Sequence, residues 1–395
     1  MKVLILHTDF RVYWKGRLHY LKSFLNEKGI DFYAIELFGK GSPYEFDQFE
    51  NAGEWWTCLF PDKSVRDLSA DDIKHALFSK LDEINPDIII GGSIVFFSGA
   101  LGIRWAKQHR KKFIMFDDGK PSHIKRNFLT QSVKDMITKQ VDGLWLPSPE
   151  YDAEYSNLNK DKVLFFHGYN CIDNQLFKST GKRGFNNKVI ICVARLVPVK
   201  NFDALLNAWK IVEGNDTGYK LIIVGQGPEY EALTQLVTDS NLQHVEFKGA
   251  IGNTELPEYY HNADAFILPS LYESWGLVVN EAMAAGLPVL LSKKINAYHS
   301  LLQEGVNGFG FDPLNINDVA GAIMNYINLD ADGKENMSQK SLQIINTMSY
   351  ENMGLELFSA INKIIEKEYK STGILAGAII NSWNGKYDTW AWDTL

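Results

Sequence analysis

The chain has 395 residues, with 40 Lys and Arg against 48 Asp and Glu and a formal net charge of −8. Its 45% hydrophobic and 22% charged residues are an ordinary globular composition, which excludes disordered, collagen-like and coiled-coil classes. The acidic balance excludes a general nucleic-acid binder, and the length predicts roughly two to three domains, each able to bury its own core.

Residues 2–6 form a short apolar run followed by a polar turn, the pattern of a strand buried on both faces. An amphipathic stretch over 17–28 carries Leu18, Leu21, Phe24 and Leu25 on one face and stops at Gly29, and 31–37 is again strand-like. Residues 71–84 predict a helix, 87–90 a buried strand, 99–109 a helix and 112–116 a strand; 144–147 and 163–166 complete this half. The polar, Gly-containing stretch 178–184 lacks apolar periodicity and reads as a linker. The alternation then restarts, with strands at 189–193, 220–224, 245–248, 265–268, 289–292 and 308–311. Helices are predicted between them at 202–212, 229–237, 256–262, 274–285 and 316–327, and two further helical stretches, 333–346 and 351–369, follow. Strands alternating with helices of this length predict two parallel, doubly wound α/β halves, with ligands outside the carboxyl ends of the strands.

Three cysteines, Cys58, Cys171 and Cys192, are too scattered for a disulfide framework or a zinc site. Nothing at the N-terminus resembles a signal peptide, and the longest uncharged run, 88–103, is shorter than the roughly 20 residues of a spanning helix. A soluble, cytoplasmic protein is expected.

The chemistry-bearing motifs lie in the second half, at strand ends. Arg195 and Lys200 sit five residues apart on a loop that opens a helix, which suits an anionic group; a solvated loop with two surface charges is the plainer alternative. Val224-Gly225-Gln226-Gly227-Pro228 is a strand running into a Gly-rich turn, where Gly225 permits close approach of a ligand or simply a tight turn. The third motif runs from Leu268 to Val289. In it Glu273 lies in a loop, and Glu281 follows on a helix among Leu277, Val278, Ala282 and Ala285. A carboxylate in such surroundings is costly unless hydrogen-bonded, and a sugar diol is a good partner. Between the two acids, the amides of Ser274, Trp275, Gly276 and Leu277 form a helix start that attracts phosphate.

Together the Arg-x4-Lys loop, the Val-Gly-x-Gly-Pro turn, the Glu-x7-Glu helix and the Ala-Met-Ala-Ala-Gly-Leu-Pro-Val run resemble family 4 of the retaining glycosyltransferases. The resemblance covers 188–370 strongly and 1–175 more weakly. It implies the GT-B architecture: two Rossmann-like domains facing across a cleft, with an acceptor-side domain over 1–175, a nucleotide-sugar donor domain over 188–370 and a C-terminal tail over 371–395. It implies that Arg195 and Lys200 neutralise the donor diphosphate, that Glu281 holds the ribose hydroxyls and that Glu273 lies against the donor sugar. Ser274, Gly276 and Leu277 would contact sugar and phosphate, while Ala250 and Ile251 would border the base. Two cations plus a helix N-terminus can stabilise the leaving diphosphate, so no metal and no cofactor are expected beyond the UDP- or GDP-sugar substrate.

Two departures from that pattern concern the first half. The family usually has adjacent glycines after its first strand; here 9–17 retains only Gly16, with Lys15 and Arg17 as alternative charges. Where members often carry a His after the strand 112–116, this chain has Asp117-Asp118-Gly119, so either Asp is a candidate for sugar contact, acceptor deprotonation or helix capping. His123 and His167 read as structural or surface residues. Acceptor choice is expected in the loops 10–17, 40–66 and 117–130, where Trp14, Trp55 and Trp56 are candidates to stack on sugars.

Eight Lys and Arg between 104 and 126 against two acids suggest either a solvated helix face or a patch for anionic lipid, hence a peripheral membrane contact. The uncharged tail 371–385, followed by Tyr387, Trp390 and Trp392, suggests packing or a homo-oligomer interface. The function expected is transfer of a hexosyl or N-acetylhexosaminyl unit from a nucleotide sugar to a glycan, lipid-linked or small acceptor in cell-surface polysaccharide synthesis. A GT-B-like nucleotide-sugar epimerase and a non-catalytic nucleotide-sugar binding protein stay open as alternatives. A nicotinamide oxidoreductase is disfavoured because no G-x-G-x-x-G follows the first strand.

Overall fold

A computed structural model of the chain describes residues 1–10, 13–41, 53–123, 127–179 and 184–385. The chain divides into two compact units, one of Met1–Tyr169 with Tyr350–Leu395 and the other of Asn170–Ser349.

The first unit is built on seven strands: β1 (Lys2–His7), β2 (Asp31–Phe38), β3 (Trp56–Phe60), β4 (Ile88–Gly91), β5 (Lys112–Phe116), β6 (Gly143–Leu146) and β7 (Leu164–His167). They pair in parallel in the order β3-β2-β1-β4-β5-β6-β7. Val3, Leu4, Ile5 and Leu6 are fully buried because β1 is central, between β2 and β4, and covered on both faces. The helices are α1 (Tyr13–Glu27), α2 (Ala70–Ile84), α3 (Phe97–Gln108) and α4 (Phe128–Thr138). The sharp start of α2 comes from Ser69, whose hydroxyl accepts from the Asp72 amide while Asp72 returns a bond to the Ser69 amide.

The second unit opens with α5 (Asn174–Phe177). It then alternates β8 (Val189–Val193), α6 (Phe202–Glu213), β9 (Lys220–Val224), α7 (Tyr230–Asp239), β10 (Val245–Gly249), α8 (Leu256–His261) and β11 (Ala265–Leu268). The rest of this unit is α9 (Leu277–Ala284), β12 (Val289–Ser292), α10 (Tyr298–Leu301), β13 (Gly308–Phe311), α11 (Ile316–Ile327) and α12 (Ala331–Ile345). Its six parallel strands run β10-β9-β8-β11-β12-β13. Ile190, Cys192, Leu205, Trp209, Ile223, Ile267 and Ile323 meet in a core between the sheet, α6 and α11.

The chain then returns to the first unit as α13 (Tyr350–Glu366) and α14 (Ile374–Ser382). Residues 350–370 therefore stand with the first unit, where the sequence placed them in the donor domain. The cause is aromatic packing: Tyr20 meets Tyr350 with ring centroids 5.7 Å apart, and Phe24 meets Phe358 edge-on at 6.4 Å. At the other boundary, α5 belongs to the second unit because Phe177 packs against Tyr260.

Of the basic run, the described members Arg104, Lys107 and Lys112 are engaged within the protein, while Arg110 is exposed and Lys125 lies outside the described residues. Arg104 is buried and caps the end of α14, with Nε donating to the Ile380 carbonyl at 2.9 Å and Nη2 to Trp383 O at 2.6 Å and Asn384 Oδ1 at 2.8 Å. Lys112 caps the end of α13 through the carbonyls of Lys367 (2.8 Å) and Glu368 (3.0 Å). Lys107 pairs with Asp142 at 2.9 Å, and Arg110 lies 5.4 Å from the Tyr369 ring centre. These cations fasten the C-terminal segment to the first unit, so 371–385 packs on the protein, although Ile374 and Leu375 stay exposed. Arg126, Tyr387, Trp390 and Trp392 lie outside the described residues. Among the described residues no helix is long and apolar enough to cross a membrane.

Candidate active site

In each sheet the winding reverses beside one central strand, between β1 and β4 in the first unit and between β8 and β11 in the second. The carboxyl ends flanking such a switch point form the crevice where ligands bind in this class of sheet.

In the second unit that crevice is charged. The loop after β8 carries Arg195, half-buried, and Lys200; the loop after β11 carries Ser270 and Glu273. Lys200 Nζ and Glu273 Oε1 form an ion pair, each side chain only 14% exposed, and Ser270 Oγ donates to the same oxygen at 2.8 Å. The two loops are tied by the Leu271 amide bonding to Val199 O at 2.8 Å. Asn201 fixes them further, because its Nδ2 donates to Pro269 O (3.3 Å) and Pro313 O (2.8 Å). Lys200 has three donors, so beyond its bond to Glu273 it can still reach phosphate oxygens.

Gly276 caps the start of α9 with φ 96°, a left-handed conformation that glycine takes without strain. That turn delays the helix to Leu277, past the 274 expected, and leaves Ser274 and Gly276 half-buried in the approach to its amide end. Glu281, one turn in, is 3% exposed, and Tyr260 Oη donates to its Oε2 at 2.8 Å. Its neighbour Asn280 accepts from Trp275 Nε1 at 2.9 Å and donates to Asn170 O at 3.0 Å, which pins α9.

The Gly-rich turn is explained by the protein itself. A Cβ on Gly225 would lie 1.9 Å from Ala194 O, and one on Gly227 would lie 2.3 Å from Leu196 O. The close approach these glycines serve is thus to the Arg195 loop, which the turn buttresses through Leu196 N–Gln226 O at 2.9 Å. Ala250 and Ile251 follow β10, the edge strand two places from β8, and are exposed and half-buried respectively.

In the first unit the crevice is aromatic. His7, at the end of β1, stacks on Phe116 at 5.3 Å and approaches Trp14 at 5.9 Å; Trp14 in turn stacks on Tyr169 at 6.1 Å. Burial holds the His7 imidazole below its usual pKa, against Asp9, which raises it, and with Arg17 lowering it further. The Asp9 amide donates to Nδ1 at 3.3 Å, so the neutral ring carries its hydrogen on Nε2. Burial, then Asp118 and Asp117, push the Tyr169 phenol well up.

Asp117 and Asp118 follow β5 and differ sharply. Asp117 is buried and accepts from Tyr155 Oη (2.9 Å), Ser93 Oγ (3.0 Å), the Gly119 amide (3.0 Å) and Lys134 Nζ (3.2 Å). Burial alone would raise its pKa, but Lys134, the Gly119 amide and Tyr155 outweigh it and hold the carboxyl below the ordinary range. Asp118 is half-buried. Gly16 lies inside α1 and not in a loop, and a Cβ there would meet Tyr350 Oη at 2.3 Å; the glycine makes room for α13. Arg17 is buried with its guanidinium 5.0 Å from the Trp14 ring. Trp56 is a core residue that donates Nε1 to Glu36 at 2.8 Å.

Sequence reasoning missed Tyr260, Ser270 and the His7–Trp14–Tyr169 rings as a group. Ser270 was within sight, three residues before Glu273. Tyr260 meets Glu281 only through tertiary packing of α8 on α9.

Two doubly wound parallel units, the second with charged loops at its switch point, define a GT-B protein. Residues 174–343 match the family described as Glycosyl transferases group 1. The GDP-mannose-dependent alpha-(1-6)-phosphatidylinositol monomannoside mannosyltransferase of Mycobacterium tuberculosis is 34% identical over 142 residues, 34% of this chain and 37% of that protein. The poly(ribitol-phosphate) alpha-N-acetylglucosaminyltransferase of Staphylococcus aureus is 28% identical over 167 residues, 42% of this chain and 34% of its own length. The matches thus span little more than a third of either relative. Anabaena HepE, solved in complex with UDP, shares the fold with a TM-score of 0.71 at 17% identity, over 92% of this chain and 100% of its own.

Proposed function

We propose that the protein is a retaining glycosyltransferase. It moves a hexosyl or N-acetylhexosaminyl unit from a nucleoside diphosphate sugar to a glycan, lipid-linked or small acceptor in cell-surface polysaccharide synthesis. The observation that carries this reading is the convergence of Lys200, Glu273 and the start of α9 at the β8/β11 switch point, with Arg195 on the Lys200 loop. When the bond from the sugar C1 to the diphosphate oxygen breaks, negative charge grows on the leaving group. Lys200, Arg195 and the α9 amides are arranged to meet it without reorganising.

Glu273 keeps Lys200 pointed into the crevice and lies on the side of the sugar. Glu281 accepts the ribose hydroxyls, Ala250 and Ile251 border the base, and Gly225 acts through the loop it supports. In the first unit Asp118 is the residue we assign to the transferred sugar or acceptor, with Asp117 holding its turn in place. The two cations make a divalent ion unnecessary in this scheme. The kinds of sugar named for the relatives, mannose from GDP-mannose and N-acetylglucosamine, support the donor class.

The test is a thermal-shift screen of UDP, GDP, ADP, TDP and their sugars in EDTA, on wild type and Glu281→Ala. One nucleotide series should raise the melting temperature of wild type only, since a ligand that binds the folded state stabilises it by mass action. No shift in wild type, or an equal shift in the variant, rejects the reading.

A further inference from the structure

A polar pocket of about 210 Å³ opens in the second unit between α5, the carboxyl end of α9 and the last turns of α12. It lies away from the charged crevice. Ala284, which lines it, ends the eight-residue helix α9, so about 12 Å of helix separates it from the amide end at Leu277. Gln339, Leu342, Gln343 and the cap residue Asn346 follow the spacing of one helix face and form one wall. Asn174 and Gln175 of α5 face them, so the lining holds five amides and one charge, Lys178. The walls are fixed by the protein itself. Asn174 Nδ2 donates to the carbonyls of Ile345 (3.1 Å) and Met348 (3.2 Å), which ties α5 to the end of α12. His261 Nε2 donates to Phe177 O at 2.7 Å and ties α5 to α8.

We infer that this pocket is a second carbohydrate site, which takes one neutral pyranose ring and gives the protein a grip on a glycan away from the crevice. An amide both donates and accepts, as a hydroxyl does, so a lining of amides matches a polyol better than an ion. Gln339 gives its Nε2 to Glu335 (2.9 Å) and Gln343 its Oε1 to Lys340 (3.0 Å), which leaves the first its carbonyl and the second its amino group for hydroxyls. Asn174 Oδ1 is buried with no hydrogen-bond partner among the described residues, a costly state that a hydroxyl donor relieves. Leu342 and Ala284 supply the apolar surface that the C–H face of a sugar needs. At about 210 Å³ the pocket is smaller than the roughly 300–1,000 Å³ of drug-sized sites, so it holds a ring and not a chain. None of this depends on the donor scheme.

The experiment is methyl NMR of the full chain with labelled leucines, in which the Leu342 signal is assigned by its loss in Leu342→Met. The probes are the methyl glycosides of glucose, mannose and N-acetylglucosamine, with glycerol and glucose 1-phosphate for comparison. At least one glycoside should shift the Leu342 methyls and saturate with a Kd of about 1–10 mM, the range for a ligand of one ring. The double variant Gln339→Ala/Asn346→Ala changes only exposed positions and so keeps the fold. It should raise that Kd by about tenfold, while Lys178→Ala leaves it unchanged. Glucose 1-phosphate should bind no tighter than methyl glucoside. The inference is overturned if no glycoside moves Leu342, if glycerol moves it as far, or if the double variant titrates like wild type. It is also overturned if glucose 1-phosphate alone binds and Lys178→Ala abolishes that binding, which would make the pocket an anion site. Each of these outcomes leaves the nucleotide screen, and the reading it tests, untouched.

Discussion

Around the carboxyl ends of β1 and β4 the first unit gathers rings, His7, Phe116, Trp14 and Tyr169, while around β8 and β11 the second gathers Lys200, Glu273 and the start of α9. The two sheets share one winding, with a central strand flanked by the reversal, so topology does not account for the difference. Chemistry of the loops does. A wall of rings with one imidazole donor suits the faces of sugars; paired cations and helix amides suit a diphosphate. The buried acids differ in the same sense. Asp117 is surrounded by four donors and works as a fixture, whereas Glu281, also buried, accepts from Tyr260 on the switch-point side of the second unit.

The contrast can be broken most forcefully at Lys200. Under the proposed function, Lys200→Ala would take a cation from the diphosphate; it also removes the ion-pair partner of Glu273, and should lower kcat by about 10² to 10³ in a sugar-transfer assay. The expected signature is a loss in kcat larger than any rise in KM, because the charge it meets is greatest in the transition state. A variant that loses only substrate affinity would move Lys200 out of the chemistry and make the second crevice a binding site alone.

How much of this was readable in the sequence follows the same division. The central strands announce themselves as apolar runs, and the Arg195–Lys200 and Glu273–Glu281 spacings lie on single loops or helices, so the second crevice is local in sequence. The first is not. His7, Trp14, Phe116 and Tyr169 come from four separate stretches and are brought together only by the pairing of β1, β4, β5, β6 and β7 and the packing of α1 beside them. Helix α4 was invisible for a related reason: its buried face is Thr130, Lys134, Ile137 and Thr138, mostly polar, because it serves Asp117 and not an apolar core. Strand β3 is an edge strand with only Trp56 buried, too weak a pattern to stand out. Arg104, which looks like part of a surface patch in the sequence, proves to cap a helix end more than 270 residues away.

That last finding sharpens the comparison, since it makes the first unit depend on the returning C-terminal segment. Arg104→Met keeps the stem but removes the guanidinium, leaving the carbonyls of Ile380 and Trp383 without their buried donor. The local cost is about 3 kcal/mol, read as roughly a hundredfold faster hydrogen exchange over 374–384. Protection in the second unit should be unchanged. Exchange that accelerates equally in both units would show instead that the substitution acts on the whole chain.

A smaller effect, and one with a sign, is expected at Asp117. Its carboxyl is held below the ordinary range in the folded state, so the stability it contributes is fully present above its unfolded pKa and fades as pH falls through the folded value. Asp117→Asn should cost the first unit about 2 kcal/mol near neutral pH, because Lys134 loses its buried partner and an amide nitrogen faces donors. In acid the wild-type carboxyl takes up its proton and loses the same advantage, so the gap between the two proteins should begin to close below about pH 4. Urea unfolding of both proteins from pH 7 to pH 3 measures it. A gap that stays constant through this range would mean that the Asp117 charge is not what binds Ser93, Tyr155 and Lys134 together. A gap that closes would confirm Asp117 as the electrostatic fixture that ties Ser93, Tyr155 and Lys134 together at the end of β5.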